Sequence, residues 1–349
     1  MRILVLNCGS SSVKFAVINT KSGVASVGGS MEIGDSLNLN GALVAIQKQL
    51  KETGEDQGLA AVGHRVVHGG EKFSKSVLID DGVLKAIEEY STLAPLHNPS
   101  NLQGIIAAKE NFPVAQVAVF DTAFHRTLPH YAYLYGIPYH LYEEHKIRRY
   151  GFHGSSHRFV AKKTAELLEK KPEELCLLIA HLGNGCSATA VKFGQSVDTT
   201  LGLTPLEGMV MGTRCGSVDP GVILHLNKTL KYDFETLNKL LNKESGLLGL
   251  SENSNDMRVL LKAADNGEEK AKIAIEVFCY RAAKEIASLM PALPRLDALV
   301  FTGGIGENSE PIRKKILSHL EIFKPKVLVV PTNEELMIAM DTAEIVNSL

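Results

Sequence analysis

The chain has 349 residues, enough for two ordinary domains, with 45% hydrophobic and 22% charged residues. A net charge of -2 at pH 7 argues against a global polyanion-binding surface, and the basic cluster Lys146, Arg148 and Arg149 reads as solvated surface. Cys8, Cys176, Cys186, Cys215 and Cys279 form no CxxC pair and no metal-ligand spacing, so reduced thiols in a cytoplasmic protein are expected.

The N-terminus passes straight into a strand-like run without a signal-peptide layout, and no stretch reaches the ~18 consecutive apolar residues of a membrane span. Neither nucleic acid nor a membrane is therefore an expected partner. Asn227-Lys228-Thr229 matches a glycosylation sequon, which in a cytosolic protein is chance.

In chain order, residues 2–7 (RILVLN) and 13–18 (VKFAVI) are β-prone and flank a polar turn, Cys8-Gly-Ser-Ser-Ser12. Buried strands are expected at 59–67 and 114–120. Residues 176–182 (CLLIAHL) and 186–193 (CSATAVKF) repeat the opening layout around Gly183-Asn184-Gly185, a weak internal symmetry. A further strand is expected at 296–302. Helical periodicity marks 82–93, 100–111, 156–170, 269–289 and 309–320. Near the C-terminus, Thr332 as N-cap with Glu335 three residues on reads as a capping box. Alternating strands and helices predict an α/β protein.

Three glycine turns, each after a strand, suit phosphate oxygens. Asn7-Cys-Gly-Ser-Ser-Ser-Val-Lys14 offers backbone N–H groups, the Ser10 and Ser12 hydroxyls and the Lys14 charge. His181-Leu182-Gly183-Asn184-Gly185 closes the second hairpin. Thr302-Gly-Gly304-Ile305-Gly306-Glu307-Asn308 reads as a strand, a glycine loop and then a helix with Pro311 in its first turn, a natural anion site. It is neither GxGxxG nor the GxxxxGK[ST] loop, so the nucleotide site is of another kind.

Polar residues also cluster at the ends of apolar runs, where open α/β sheets bind ligands: Arg65 and His68, Asp121 and His125, His153 and His157, and Arg214. Each has a structural reading beside the chemical one. Arg65 pairs with a surface carboxylate, Asp121 caps a helix through 122–125, His153 is a core histidine, or Arg214 holds a loop carbonyl. His68, His125 and His157 are read as structural or as supporting residues. Without HExxH, GxSxG or a histidine near Ser10–Ser12, hydrolase readings have little support.

Taken together, LNCGSSSVK, HRVVHGGE, LAPLHNP, FDTAFH, YGFHGSSH, HLGNG, TPLEGMVMGTR, FTGGIGEN and PTNEEL stand in one order from Asn7 to Glu335, and this set resembles the acetate and propionate kinase family. The resemblance implies two ribonuclease-H-like domains of the actin/Hsp70/sugar-kinase type flanking a cleft. The first would be 1–125 plus 336–349, and the second 126–335, with most of the nucleotide site and a homodimer surface. It implies reversible phosphoryl transfer from ATP to acetate, giving ADP and acetyl phosphate, with Mg2+ as cofactor and Mn2+ as substitute.

It also assigns residues. Asn7 and Glu334 match metal positions. Lys14 and the two loops at His181–Gly185 and Gly304–Asn308, with Asp256, Met257 and Arg258 beside them, match nucleotide positions. Arg65 matches the arginine for the substrate carboxylate. Asp121 matches the catalytic acid position, and His153 and Arg214 the transition-state stabilisers. Val67, Leu96, Phe152 and Pro205 match the apolar pocket for the substrate methyl. The chain departs from the family in being short before His64 and between Asn308 and Pro331, and Ser217 stands where the family has an acidic residue.

The residue types suit the reaction. A carboxylate acceptor is already ionised at neutral pH, so no strong base is needed. The obstacle is repulsion, ~4 kcal/mol for two like charges about 4 Å apart at an effective dielectric near 20. A cation-rich, base-poor set answers it: Arg65, Arg214, His153, Lys14 and a metal ion. Within the family, acetate, propionate and butyrate kinases are the alternatives, since one buried methylene is worth only ~0.8 kcal/mol. In another class, a nucleotide-driven conformational switch of the Hsp70/actin kind needs no carboxylate clamp.

Overall fold

A computed structural model describes residues 1–34 and 37–349. The chain divides into two compact units: Met1–Arg126 with Gly154–Phe159 and Asn333–Leu349, and Thr127–His153 with Val160–Thr332.

The first unit holds β1 (Arg2–Cys8), β2 (Ser12–Asn19), β3 (Val24–Glu32), β4 (Leu59–Val66), β5 (Val77–Leu78) and β6 (Ala115–Phe120). They form one mixed sheet in the order β3-β2-β1-β4-β6-β5. The first three strands meander antiparallel, whereas β1, β4 and β6 run parallel. Strand periodicity divides the core. Leu4, Leu6, Val13, Phe15 and Val17 pack with α1 (Leu39–Glu52) through Leu43 and Ile46. Ile3, Val5, Ala16, Ile18, Val117 and Val119 pack with Ile338 and Ala339 of the C-terminal helix Glu334–Asn347. Gly63 lets that helix lie directly on β4, because a Cβ there would overlap Thr342. On the first face, α3 (Asn98–Asn111) packs beside α1, while α2 (Asp81–Glu89) belongs to a satellite core with Ile105 and Phe120.

The second unit holds β7 (Cys176–Leu182), β8 (Cys186–Lys192), β9 (Gln195–Thr199), β10 (Ala298–Thr302) and β11 (Val327–Val329) in the order β11-β10-β7-β8-β9. Again a three-strand antiparallel meander is followed by a parallel neighbour. The arrangement β3-β2-β1-β4 thus recurs as β9-β8-β7-β10, the structural form of the symmetry seen in the sequence. The helix Glu269–Ser288 buries Ala274, Phe278, Ala282 and Ile286.

Two local expectations are corrected. The C-terminal helix is capped by Asn333, whose side chain accepts from the N–H of Leu336 at 2.8 Å, and not by Thr332. An asparagine binds the N3 amide as well as a threonine does, and with the cap moved one residue Glu335 is no longer at the capping-box position. The glycine stretch after β10 is itself a short helix, Gly303–Asn308, entered through the left-handed Gly303. Glycine disfavours a helix, so the surroundings of this segment and not its own preference close the turn at once after the strand.

Candidate active site

In the first unit, parallel pairing brings the C-terminal ends of β1, β4 and β6 side by side. Asn7 stands near the end of β1, Arg65 near the end of β4 and Asp121 directly after β6. Arg65 grips Asp121 as a fork, with Nη2 2.5 Å from Oδ2 and Nε 3.2 Å from Oδ1. Its Nη1 donates to Asn7 Oδ1 at 3.4 Å, and its Nε lies 3.9 Å from Glu334 Oε2. Asp121 is 1% exposed. Burial raises its carboxyl above the usual range, and the Arg65 charge opposes that rise. For Arg65 burial works against the charge, but Asp121 and Glu334 overcome it and hold the guanidinium above its usual range.

Lys14 lies opposite Asn7 in the β1–β2 ladder, and both line a small cleft with Arg65, Glu334 and Glu335. The intervening turn is closed by Gly9 N donating to Ser12 O at 2.9 Å and leaves Ser10 exposed. Asn7, Arg65, Asp121 and Glu334, distant in sequence, are thus gathered at one edge of the sheet.

In the second unit, His153 is left-handed at φ 57° and directly precedes the helix Gly154–Leu167. A non-glycine residue there is held by its surroundings. His153 Nδ1 pairs with Ser187 Oγ at 2.9 Å, and its ring stacks on His181 with centroids 4.5 Å apart. Arg214 Nη1 donates to Pro205 O at 2.5 Å. Gly185 is the point where these groups converge: a Cβ there would lie 2.8 Å from Arg214 Nη2 and 3.2 Å from His153 Nε2. Ser217 accepts from Gly208 N at 3.0 Å, a local tie within the loop that carries Arg214.

Beside this group is an open pocket of ≈1200 Å³ lined by Gly183, Asn184, Asp256, Met257, Arg258, Gly304, Ile305 and Asn308, all singled out in the sequence. Asn255, Leu261 and Ser309 also line it and were missed. Leu261 was legible, being one helical turn beyond Met257. Asp256 caps the helix Met257–Asp265 and pairs with Arg258, whose side-chain hydrogen bond lowers the carboxyl to about 2.

His181, Leu182, Gly185, Gly306 and Glu307 do not line the pocket. The Glu307 carboxylate turns back on the chain, accepting from Gly303 N at 2.8 Å, Thr332 N at 3.0 Å and Thr302 Oγ1 at 3.3 Å. Leu182 is buried, as its place at the end of a core strand requires. Of the residues expected around the substrate methyl, Val67 and Phe152 are buried and Leu96 is 47% exposed. Val67 and Leu96 belong to the first unit, and Phe152 and Pro205 to the second.

Among the described residues no group of three His, Cys, Asp or Glu side chains is arranged around a metal position. No described helix is long and apolar enough to cross a membrane.

Two sheets of the same strand order, each with a phosphate-suited turn at a strand end, define an α/β nucleotide phosphotransferase fold of the actin, Hsp70 and sugar-kinase type. The chain belongs to the acetokinase family, whose sequence profile matches residues 24–326. It is 50% identical to an acetate kinase of Shewanella baltica over 393 aligned positions, covering 99% of this chain and 98% of that one. The alignment is longer than the 349 residues here, so the relative carries segments that this chain lacks. Among solved structures, a propionate kinase from Francisella tularensis superposes with a TM-score of 0.92 at 42% identity, and an acetate kinase from Porphyromonas gingivalis with 0.90 at 38%. Each superposition covers 99% of both chains. A ROK hexokinase from Thermus thermophilus, 12% identical with a TM-score of 0.53, shares the fold alone.

Proposed function

We infer that this protein is an acetate kinase, transferring the terminal phosphoryl group of ATP reversibly to acetate and giving acetyl phosphate and ADP. The observation that carries the reading is the Arg65 guanidinium, held by a buried aspartate at the ends of three parallel strands, in a chain half identical to an acetate kinase. The nucleotide occupies the pocket of Asn184, Asp256–Arg258, Gly304, Ile305 and Asn308.

Arg65 takes the acid carboxylate and aligns one oxygen for in-line attack. Arg214 and His153 stabilise the equatorial oxygens of a loose transition state. Asp121 removes no proton, because the acceptor is already ionised; it holds Arg65 in place and orders water beside the metal. Lys14, Ser10 and Ser12 bind phosphate oxygens. Gly185 keeps the space between Arg214 and His153 open.

Asn7 and Glu334 offer only oxygen donors, which suits a hard cation such as Mg2+, with Mn2+ as a substitute. With so few protein ligands, the ion would keep waters and take oxygens from the nucleotide. When bound, it would neutralise phosphate charge. We further propose a cytoplasmic homodimer. Leu224 and Phe234, exposed on the helices Pro220–Leu230 and Phe234–Lys243, supply apolar surface for it.

A second reading, a propionate kinase, is favoured by the Francisella structure. Both are tested by trapping acyl phosphate with hydroxylamine, using purified protein, ATP, Mg2+ and acetate, propionate or butyrate. The acid with the highest kcat/KM decides between the readings, and silence with all three overturns both.

A further inference from the structure

The segment LAPLHNP contributes Leu96 to the assignment above, but its Asn98, and Asn101 just beyond it, have no part in that assignment. Asn98 and Asn101 lie in the first turn of α3, three residues apart and therefore on one face. They are 0% and 4% exposed. A buried amide is costly unless both its ends are bonded, and here both are. Asn101 Oδ1 accepts from Val67 N at 3.1 Å, and its Nδ2 donates to Cys8 O at 2.7 Å. Asn98 Oδ1 accepts from His68 N at 3.1 Å, and its Nδ2 donates to His68 O at 3.0 Å. Gly104 continues the same face. A Cβ there would lie 2.5 Å from Cys8 Sγ, so α3 is pressed against the turn that leaves β1.

The places that these amides grip matter. Cys8 follows Asn7 and opens the phosphate turn. Val67 and His68 follow Arg65 beyond the end of β4, where the parallel ladder no longer holds the backbone. Asn101 therefore spans the phosphate turn and the segment after Arg65, and Asn98 anchors the second alone.

We propose that Asn98 and Asn101 are positioning residues for phosphoryl transfer, Asn101 setting the Asn7–Ser12 turn against Val67 and Asn98 setting the backbone behind Arg65. This rests on the reaction proposed above and assigns the control of its two substrates to different amides. An amide is suited to the task because it carries a donor and an acceptor at once. An aspartate of the same shape keeps the acceptor. When ionised it sets a negative charge against the carbonyl, and when protonated it donates again. Burial raises the pKa of such a carboxyl. Each Asn→Asp variant therefore reports its own contact through pH.

The experiment measures KM for Mg-ATP and for acetate from about pH 6 to about pH 9 for wild type, Asn101→Asp and Asn98→Asp, with thermal midpoints alongside. For Asn101→Asp the KM for Mg-ATP, taken relative to wild type, rises about tenfold as pH increases, while the acetate KM stays within about twofold. For Asn98→Asp the pattern is reversed, the acetate KM rising and the Mg-ATP KM staying flat. A purely structural role lowers the thermal midpoint and leaves both constants unmoved, or moves them by one common factor at every pH; either result overturns the proposal. Should one variant fail to fold, the other decides alone. A wild-type protein silent with every short acid overturns the reaction, whereas an active wild type with flat variants overturns only the positioning role.

Discussion

The Arg65 guanidinium meets the Asp121 carboxylate through two contacts, Nη2 to Oδ2 at 2.5 Å and Nε to Oδ1 at 3.2 Å, although the residues are 56 positions apart. Removing one partner of such a pair leaves the other charge uncompensated, at a cost of roughly 3 kcal/mol or more. Asp121→Asn is therefore expected to lower stability and to cut kcat/KM for the acid about 100-fold or more. Urea unfolding and steady-state kinetics measure the two effects. A near-normal kcat at saturating Mg2+ would remove Asp121 from the chemistry.

The fork geometry separates arginine from a bare charge. Arg65→Ala is expected to raise the KM for the acid about 100-fold, and Arg65→Lys to recover little of it, because an ammonium cannot take a carboxylate at two points. An unaltered acid KM in either variant would sink the clamp.

Gly185 has no left-handed φ, so its importance lies in space alone. In Gly185→Ala the new methyl presses on Arg214 Nη2 at 2.8 Å and His153 Nε2 at 3.2 Å. The expected result is a fall in kcat of about tenfold to 100-fold with smaller changes in both KM values, since a displacement of about 1 Å at this point is enough. Equal kcat in variant and wild type would show that the two side chains are not needed where they stand.

Glu307 binds the backbone at the start of its own helix, at Gly303 N, and ahead of the C-terminal helix, at Thr332 N. Glu307→Ala leaves these amides without their acceptor, which costs about 1–3 kcal/mol for each group that stays buried. We expect a lower thermal midpoint and a raised KM for ATP, with the acid KM unchanged. A calorimetric scan together with ATP titration checks both.

Acid should weaken the first unit through its buried histidines. Burial lowers His64 to about 4, only partly offset by its hydrogen bond to Gln116, and lowers His68 to about 3. His64 Nε2 lies 2.7 Å from Gln116 Oε1, and His68 Nδ1 accepts from Gly70 N at 3.0 Å. Both pKa values are below the ordinary value near 6.5, so the unfolded chain binds protons that the folded one refuses. Their contribution is complete above about pH 6.5 and is lost as pH falls toward about 4, roughly 3 kcal/mol for His64 alone. Urea midpoints at successive pH values measure this, and His64→Gln should flatten the slope.

The fold was legible where the pattern is local. The β-prone runs RILVLN and VKFAVI, and the strand–turn–strand layout repeated at 176–193, are properties of adjacent residues, and both hairpins formed where expected. Start signals read from two or three residues fared unevenly. Pro311 does lie in the first turn of its helix, but the cap before Glu334 fell to Asn333, since threonine and asparagine compete for the same amide and only the entering backbone chooses. The stretch after Thr302 looked like a loop because glycine is a poor helix former, and the packed strand before it overrode that preference.

The sequence by itself determined an α/β chain with polar and glycine-rich residues at strand ends, because strand periodicity and turn chemistry act over a few residues. Only the tertiary structure decided which of those residues meet. Arg65 does pair with a carboxylate, but with the buried Asp121 and not with one on the surface. Arg214 does hold a loop carbonyl, at Pro205. Asn101 reaches Cys8 across 93 positions. The Arg65–Asp121 pair follows from the order β1-β4-β6, which places three strand ends side by side, and no local pattern encodes the order in which strands join a sheet.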